Sequence, residues 1–285
     1  MRIVSLLPST TEILFAIGAG GDVVGVTFEC DYPAEARTRR IVSTSAMPEG
    51  LTPAQIDAFV VEAMARGDDL YHLDAGALSG LDADLVVTQD LCAVCAVDVS
   101  VVDEALAHLG CTAEVLTIDP HTIDEVLESI LTLGRATGRR ASAEAVVAEQ
   151  RRRFAAAWRR SMGRSRPRVM FLEWTDPPFA PGHWIPEMIE MAGGEALLGT
   201  PGEKSRRVTW KQVHAAEPEV VVVAPCGFDR DGSQRLADEL VAGGVLPSGV
   251  PVHAVDANAS WARPGTRLPE GVDELSALLT GARAR

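Results

Sequence analysis

The chain has 285 residues, of which 47% are hydrophobic and 23% charged, and its formal net charge at pH 7 is −14. This length and apolar content are enough for two domains, each with its own core. The acidic excess argues against nucleic acid or an anionic membrane as a partner, because both favour clustered Lys and Arg. No apolar run approaches the roughly 18 residues of a membrane helix, so membrane insertion is not expected. The five cysteines, an odd number, favour reduced thiols over a disulfide framework.

The first predicted element is a strand that begins at the second residue. After Arg2, residues 3–7 are apolar apart from Ser5, and Pro8–Glu12 follow them directly. The hydroxyls and the Glu of that segment predict a helix start, since they can cap free backbone N–H groups. An apolar helical pattern then runs to Gly18. No basic segment, apolar segment or cleavage site of a secretion signal precedes the strand, so the sequence predicts a cytoplasmic protein.

Short β-branched runs then alternate with helical segments, which predicts parallel sheets covered by helices on both faces. Strands are predicted at 22–27, 40–44, 84–88 and 114–118, with helices at 53–66 and 99–109. The periodicity from 122 to about 162 is helical, and strands resume at 168–174, 220–224 and 252–255 before a last helix at 272–279. The sequence therefore predicts an N-terminal α/β lobe (1–120), a long connecting helix (121–165) and a C-terminal α/β lobe (166–285).

This predicted architecture indicates where a ligand would bind. In open parallel sheets the ligand lies beyond the carboxyl ends of the strands, so two facing sheets would surround one cleft with their loops. Tryptophan is often a core residue, but loops run over the surface, and most of the tryptophans here fall in predicted loops. The loop tryptophans are Trp174, Trp184, Trp210 and Trp261.

Several segments, in their order along the chain, resemble the cobalamin- and siderophore-binding proteins of ABC transporters. The segments are Asp31–Pro33, Glu173–Phe179 with Gly182, Glu187–Glu195 and Val208–Trp210. The resemblance implies two Rossmann-like lobes joined by a long backbone helix, as in class III periplasmic binding proteins. It also implies a large flat ligand that is bound between the lobes and is not chemically changed, such as cobalamin or another corrinoid.

The resemblance, with the loop positions, indicates a set of ligand-contacting residues. Aromatic rings offer dispersion and apolar area to a corrin ring, and Glu173 would bond either a ligand amide or a backbone N–H. The expected partner is a small-molecule metal chelate. A transporter permease is not expected without an export signal. The predicted ligand-binding residues are Tyr32, Glu173, Trp174, Phe179, Trp184, Trp210 and Trp261.

Cysteines are where the sequence departs from the resemblance. Cys92 and Cys95 form a C-x-x-C pair in one predicted cleft loop, Cys226 lies in the matching loop of the other lobe, and His183 lies in a third. Thiolates and an imidazole could together bind a thiophilic metal ion, although free cysteines are also often buried hydrophobes. The alternative functions are therefore a cysteine-dependent metal-binding enzyme or metallochaperone, a siderophore- or haem-type binding protein, or a metal-chelate sensor.

Overall fold

The structure is a computed structural model that describes residues 1–68, 70–73, 75–89 and 113–282. The chain divides into two compact units. The N-terminal unit comprises residues 1–119 and 128–147, and the C-terminal unit comprises 120–127 and 148–285. Within the described residues, no helix combines the length and the apolar content needed to cross a bilayer.

A six-stranded sheet forms the centre of the N-terminal unit. Its strands are β1 (Ile3–Ser5), β2 (Val23–Thr27), β3 (Arg40–Ser45), β4 (Tyr71–Leu73), β5 (Leu85–Thr88) and β6 (Glu114–Thr117). They lie in the order β4-β3-β2-β1-β5-β6, and every neighbouring pair is parallel except β3 and β4. The strands predicted from the apolar runs are present to within one or two residues at each end, whereas the antiparallel β4 was not predicted.

Among the described residues before position 120, three segments are α-helical: α1 (Pro8–Ala16), α2 (Pro53–Arg66) and α3 (Ala75–Leu78). The bounds of α2 are those predicted, because Thr52 and Gln55 form a capping box and Gly67 ends the helix with φ of +72°. The predicted hydroxyl cap of α1 is wrong. The N-cap residue Leu7 makes no side-chain capping bond, and Thr10 Oγ1 instead donates to the carbonyl of Leu7 (3.1 Å). The predicted helix at 99–109 lies outside the described residues.

Two helices, α4 (Ile123–Ala136) and α5 (Arg140–Ser161), occupy the segment predicted as one long helix. Gly138 separates them with φ of +67°, a conformation that ends a helix at little cost for glycine. Gly134 lets them approach, since a Cβ there would lie 2.3 Å from the Ala143 Cβ. Each helix belongs partly to the N-terminal unit and partly to the C-terminal unit.

The C-terminal unit contains a parallel sheet and a smaller antiparallel sheet. The strands β7 (Arg168–Leu172), β10 (Glu195–Ala196), β12 (Val220–Val223) and β13 (Val252–Ala254) form the parallel sheet in the order β10-β7-β12-β13. The short strands β8 (Trp174–Thr175), β9 (Pro178–Ala180) and β11 (Arg206–Arg207) form the second, in the order β11-β9-β8. The helices are α6 (Ile185–Met191), α7 (Trp210–Ala215), α8 (Arg230–Ala242), α9 (Ala257–Ser260) and α10 (Leu268–Ala282).

Candidate ligand site

Three aromatic side chains lie together where β7 and β12 of the C-terminal unit end. Trp174 on β8 pairs directly with Phe179 on β9, which places both rings on one face of the strand pair. The Trp174 and Phe228 rings meet edge to face, with centroids 5.9 Å apart. All three side chains are partly exposed. We call Trp174, Phe179 and Phe228 the C-terminal aromatic surface, and it can offer ring faces to a flat ligand.

A cation adjoins this surface. Arg207 pairs with Phe179 across β11 and β9, and its guanidinium carbon lies 5.8 Å from the Phe179 ring centroid. A guanidinium near an aromatic face is attracted by the ring quadrupole. The aromatic surface therefore carries a positive edge that suits acceptor or anionic groups of a ligand.

The carboxyl group of Glu173 supports the loop beside the aromatic surface. It accepts the backbone N–H of Gly182 (2.6 Å) and a hydrogen bond from the Ser205 side chain. Burial raises the pKa of Glu173 to about 7, although both hydrogen bonds oppose that rise. Of the two roles predicted for Glu173, the structure shows the bond to a backbone N–H.

Gly182 is the residue that makes this arrangement possible. A Cβ at this position would lie 2.1 Å from the backbone nitrogen of Ser205, so a larger residue would collide with the chain. The close approach brings Ser205 and Gly182 to the same carboxyl group. Glycine is therefore required at position 182 because the chain at Ser205 packs directly against it.

Two further predicted residues lie at the border of this region. Cys226 is exposed, and its backbone N–H donates to the carbonyl of Glu173 (3.2 Å). Trp210 is the first residue of α7, after the capping box of Thr209 and Gln212. Its ring is partly exposed and otherwise packs on the hydrophobic core of the C-terminal unit.

Two of the predicted ligand-binding tryptophans are core residues in the structure. Trp261 has 0% exposure and packs on Phe171, with ring centroids 4.8 Å apart. Trp184 is 8% exposed, and its indole N–H donates to the Trp261 carbonyl (2.7 Å). Rings held this way offer no face to a ligand, so the sequence-based placement of both residues differs from the structure. Gly271 of α10 leaves room for the Trp261 ring, since a Cβ at that position would lie 3.0 Å from Trp261 Cε2.

His183 lies with a second histidine. Its backbone has φ of +51°, and its ring is 5.5 Å from the His121 ring and 5.6 Å from the Trp184 ring, measured between centroids. Burial lowers the pKa of His183, and His121 and Lys204 lower it further. The imidazole is therefore neutral near pH 7.

The predicted metal site cannot be assembled from the described residues. Cys92 and Cys95 lie outside them, and within them no group of three or more His, Cys, Asp or Glu side chains is arranged to hold a metal ion. The C-x-x-C site remains a prediction.

The N-terminal unit has an aromatic surface of its own at the carboxyl end of its sheet. Tyr32 is 47% exposed and Phe28 is 41% exposed, and both follow β2. The Phe28 and Tyr71 ring centroids are 6.1 Å apart, and the Tyr71 hydroxyl donates to Glu29 (3.1 Å). Tyr71 itself is only 9% exposed and supports Phe28 from the hydrophobic core. We call Phe28 and Tyr32 the N-terminal aromatic surface.

Buried hydroxyls lie behind the same edge. The Ser5 hydroxyl bonds those of Thr10 (2.7 Å) and Thr11 (2.8 Å), and Thr11 also bonds the thiol of Cys30 (3.0 Å). All four side chains are nearly inaccessible to solvent. Their hydrogen bonds therefore hold β1, α1 and the loop after β2 together and are not offered to a ligand.

Sequence reasoning missed Phe28, Phe228 and Arg207 as residues of these surfaces, and it missed Tyr71 as the ring behind Phe28. A usable signal existed for Phe28 and Phe228, since both lie in loops that follow predicted strands. For Tyr71 and Arg207 no such signal existed, because β4 and β11 are too short to predict.

The sequence also matches known proteins over most of its length. The family model described as periplasmic binding protein matches residues 3–243. The chain belongs to the periplasmic binding protein family. Among this family member's relatives, the vitamin B12-binding protein of Yersinia pestis (strain Pestoides F) is 27% identical over 266 residues, which cover 91% of this chain and 79% of the relative. The vitamin B12-binding protein of Yersinia pseudotuberculosis serotype O:3 (strain YPIII) is 26% identical over the same length.

Solved structures share the fold of this periplasmic binding protein. The periplasmic heme-binding protein RhuT from Roseiflexus sp. RS-1, in its apo form, matches with a TM-score of 0.71 at 22% identity, over 99% of this chain and 98% of that one. The periplasmic vitamin B12-binding protein BtuF of Vibrio cholerae matches with a TM-score of 0.68 at 19% identity, over 100% and 98%. The predicted fold class, a class III periplasmic binding protein, is confirmed.

Proposed function

We propose that this protein binds a cobalamin-like corrinoid, or a related flat metal chelate, and releases it unchanged. The alignment with proteins named vitamin B12-binding protein, over 91% of this chain, carries the proposal. Membership in a family of binding proteins supports binding without chemistry.

The aromatic surfaces support the same proposal on physical grounds. A corrin or porphyrin has broad apolar faces and a polar rim, and partly exposed aromatic rings suit the faces. Arg207, beside Phe179, suits acceptor groups of the rim. Losing one buried aromatic contact would cost on the order of 1–3 kcal/mol, which is about fivefold to 150-fold in affinity.

Titration with cyanocobalamin, cobinamide and haem, followed by tryptophan fluorescence and calorimetry, tests the proposal. We expect saturable quenching by a corrinoid and weaker binding by Trp174→Ala and Phe228→Ala. Trp158→Ala is the matched control, since this exposed tryptophan of α5 contacts Arg166 before β7, whereas Trp174 follows β7. No saturation by corrinoids at high micromolar concentration would remove cobalamin from the proposal. Saturation by haem alone would change the ligand class to a porphyrin.

The cysteine-based alternative has a separate test. If Cys92 and Cys95 hold a metal ion, Cys92→Ala with Cys95→Ala should abolish stoichiometric zinc binding by the purified protein and leave corrinoid binding intact. If the two cysteines only pack, the same variant should change stability alone.

Cellular location and delivery to a transporter stay predictions. The expectation of a cytoplasmic protein without a permease partner rested on the start of the sequence, whereas the matched family is named for periplasmic proteins. Fractionation of cells that express the native gene decides between a cytoplasmic and a periplasmic location. Recovery of the protein in the periplasmic fraction would favour delivery to a permease.

A further inference from the structure

The end of α5 and the turn that follows carry positive charge on a chain that is otherwise acidic. Residues 151–168 contain eight arginines and no lysine, aspartate or glutamate, although the chain as a whole has 40 acidic and 26 basic residues. Two large apolar side chains are exposed among these arginines. Trp158 is 43% exposed and Met162 is 64% exposed. Residues four positions apart lie on the same side of a helix. The Met162 N–H donates to the Trp158 carbonyl (3.2 Å), so the helical turn extends to Met162 and both side chains lie on one side of it.

Some of the arginines are committed to other contacts. Arg153 and Arg160 both pair with Asp273 of α10, and Arg152 pairs with Glu149. The two pairs with Asp273 hold this part of α5 on α10, whereas the Arg152–Glu149 pair lies within α5 itself.

Other arginines keep their charge available. Among the described residues, no acidic side chain lies within ion-pair distance of Arg151, Arg159 or Arg164. Arg166 lies 5.7 Å from the centroid of the Trp158 ring and donates to the carbonyls of Gly194 and Glu190. The basic aromatic surface is defined by Arg151, Trp158, Arg159, Met162, Arg164 and Arg166.

We propose that the basic aromatic surface docks a short acidic segment of a partner protein. Trp, Met and Arg are the residue types enriched at the centres of protein interfaces, while Lys, Glu and Asp are depleted there. Arginine forks bind carboxylates in a bidentate manner, and Trp with Arg forms the commonest binding hot spots. The surface thus offers an apolar centre with cations around it, and it fits a segment with one apolar side chain between carboxylates.

The observations favour a polypeptide over a lipid bilayer or a nucleic acid. A helix that lies in a bilayer needs a broad apolar face, but here Phe154 and Ala157 are buried in the protein and only Trp158 and Met162 protrude. A bilayer or a duplex is an extended polyanion, so it would also meet the field of a protein with net charge −14. A short acidic segment is small enough to interact mainly with the arginines of this surface and less with the acidic remainder of the protein.

The dimensions set the length of that segment. Arg151 and Met162 are eleven positions apart, which is about 16 Å along a helix at 1.5 Å per residue. An extended peptide covers that distance with about five residues. A longer acidic tail would increase the rate of association through long-range attraction but would add few further contacts.

Fluorescence anisotropy of a labelled peptide, with glutamates on both sides of a central leucine, tests the proposal on the full chain. The peptide should bind, with an affinity that falls as NaCl is raised, since exposed charges are screened. Trp158→Ala and the double variant Arg159→Gln with Arg164→Gln should each weaken binding by about fivefold or more. Arg235→Gln, an exposed arginine on α8, is the matched control and should bind like the parent.

Three results would overturn the proposal. The same peptide with glutamine in place of glutamate could bind equally well. The surface variants could keep the parent affinity while circular dichroism shows them folded. Phosphatidylserine vesicles or a DNA duplex could bind more tightly than the peptide at equal ionic strength, which would assign the surface to another polyanion. Corrinoid binding is measured separately, so failure here leaves the proposed ligand untouched.

Discussion

Replacing Glu173 by Gln should remove a pH-dependent loss of stability from the C-terminal unit. Burial raises the pKa of this carboxyl from 4.5 to about 7, so between those values the folded protein holds a proton that the unfolded chain releases. Stability must therefore fall as the pH rises from about 4.5 through about 7. Each pH unit within this interval lowers the free energy of unfolding by up to about 1.4 kcal/mol, so the total fall would be at most roughly 3–4 kcal/mol. A glutamine at 173 stays neutral, accepts the Gly182 N–H with its carbonyl and donates to Ser205.

Urea unfolding at pH 5, 6, 7 and 8, followed by circular dichroism, checks this expectation. Glu173→Gln should gain stability relative to the parent as the pH rises, and the gain should level off above about pH 7. Asp176→Asn is the control, because this neighbouring carboxyl is exposed. Equal pH profiles for Glu173→Gln and the parent, or a carbon-13 titration of Glu173 centred near 4.5, would refute the reasoning.

Two further predictions concern packing in the C-terminal unit. Gly271→Ala should destabilise the protein by about 1–3 kcal/mol, because the new Cβ would lie 2.7 Å from the backbone oxygen of Ser260. Gly281→Ala on the same helix is the control, since its Cβ would have no atom within 4 Å, and it should be neutral or slightly stabilising. Thermal unfolding of both variants measures the difference. Glu187 accepts the N–H of Ile123 at the start of α4 (2.8 Å), so Glu187→Ala should cost about 1–2 kcal/mol in urea unfolding. Glu187→Gln keeps an acceptor and should cost less, and equal losses for the two Glu187 variants would contradict the assigned bond.

The elements that local sequence predicts well are those with a local cause. Val220–Val223 is a continuous β-branched run and forms a buried strand. The helix at Pro53–Arg66 begins after its own capping box and ends at its own glycine. In both segments the signals lie within a few residues of the structure that they produce.

The small antiparallel sheet could not be predicted in that way. β8, β9 and β11 have two or three residues each, and β11 pairs with β9 across more than 20 intervening residues. Such strands exist because of their partners and not because of their own propensity. The Phe179–Arg207 contact follows from this pairing and was therefore missed.

The chain by itself determined the parallel strands, the helix α2, the family resemblance and the aromatic residues near strand ends, because these depend on residue type and short-range spacing. Tertiary structure decided which aromatic rings remain accessible. Trp174 and Trp261 are the same residue type in similar predicted loops, yet Trp174 meets Phe228 at the surface while Trp261 packs on Phe171 with no exposure. The difference lies in distant contacts: Gly271, ten positions after Trp261, has no side chain and so leaves room for its indole. Burial depends on what the rest of the chain brings to a residue, and a pattern of neighbours in sequence does not contain that information.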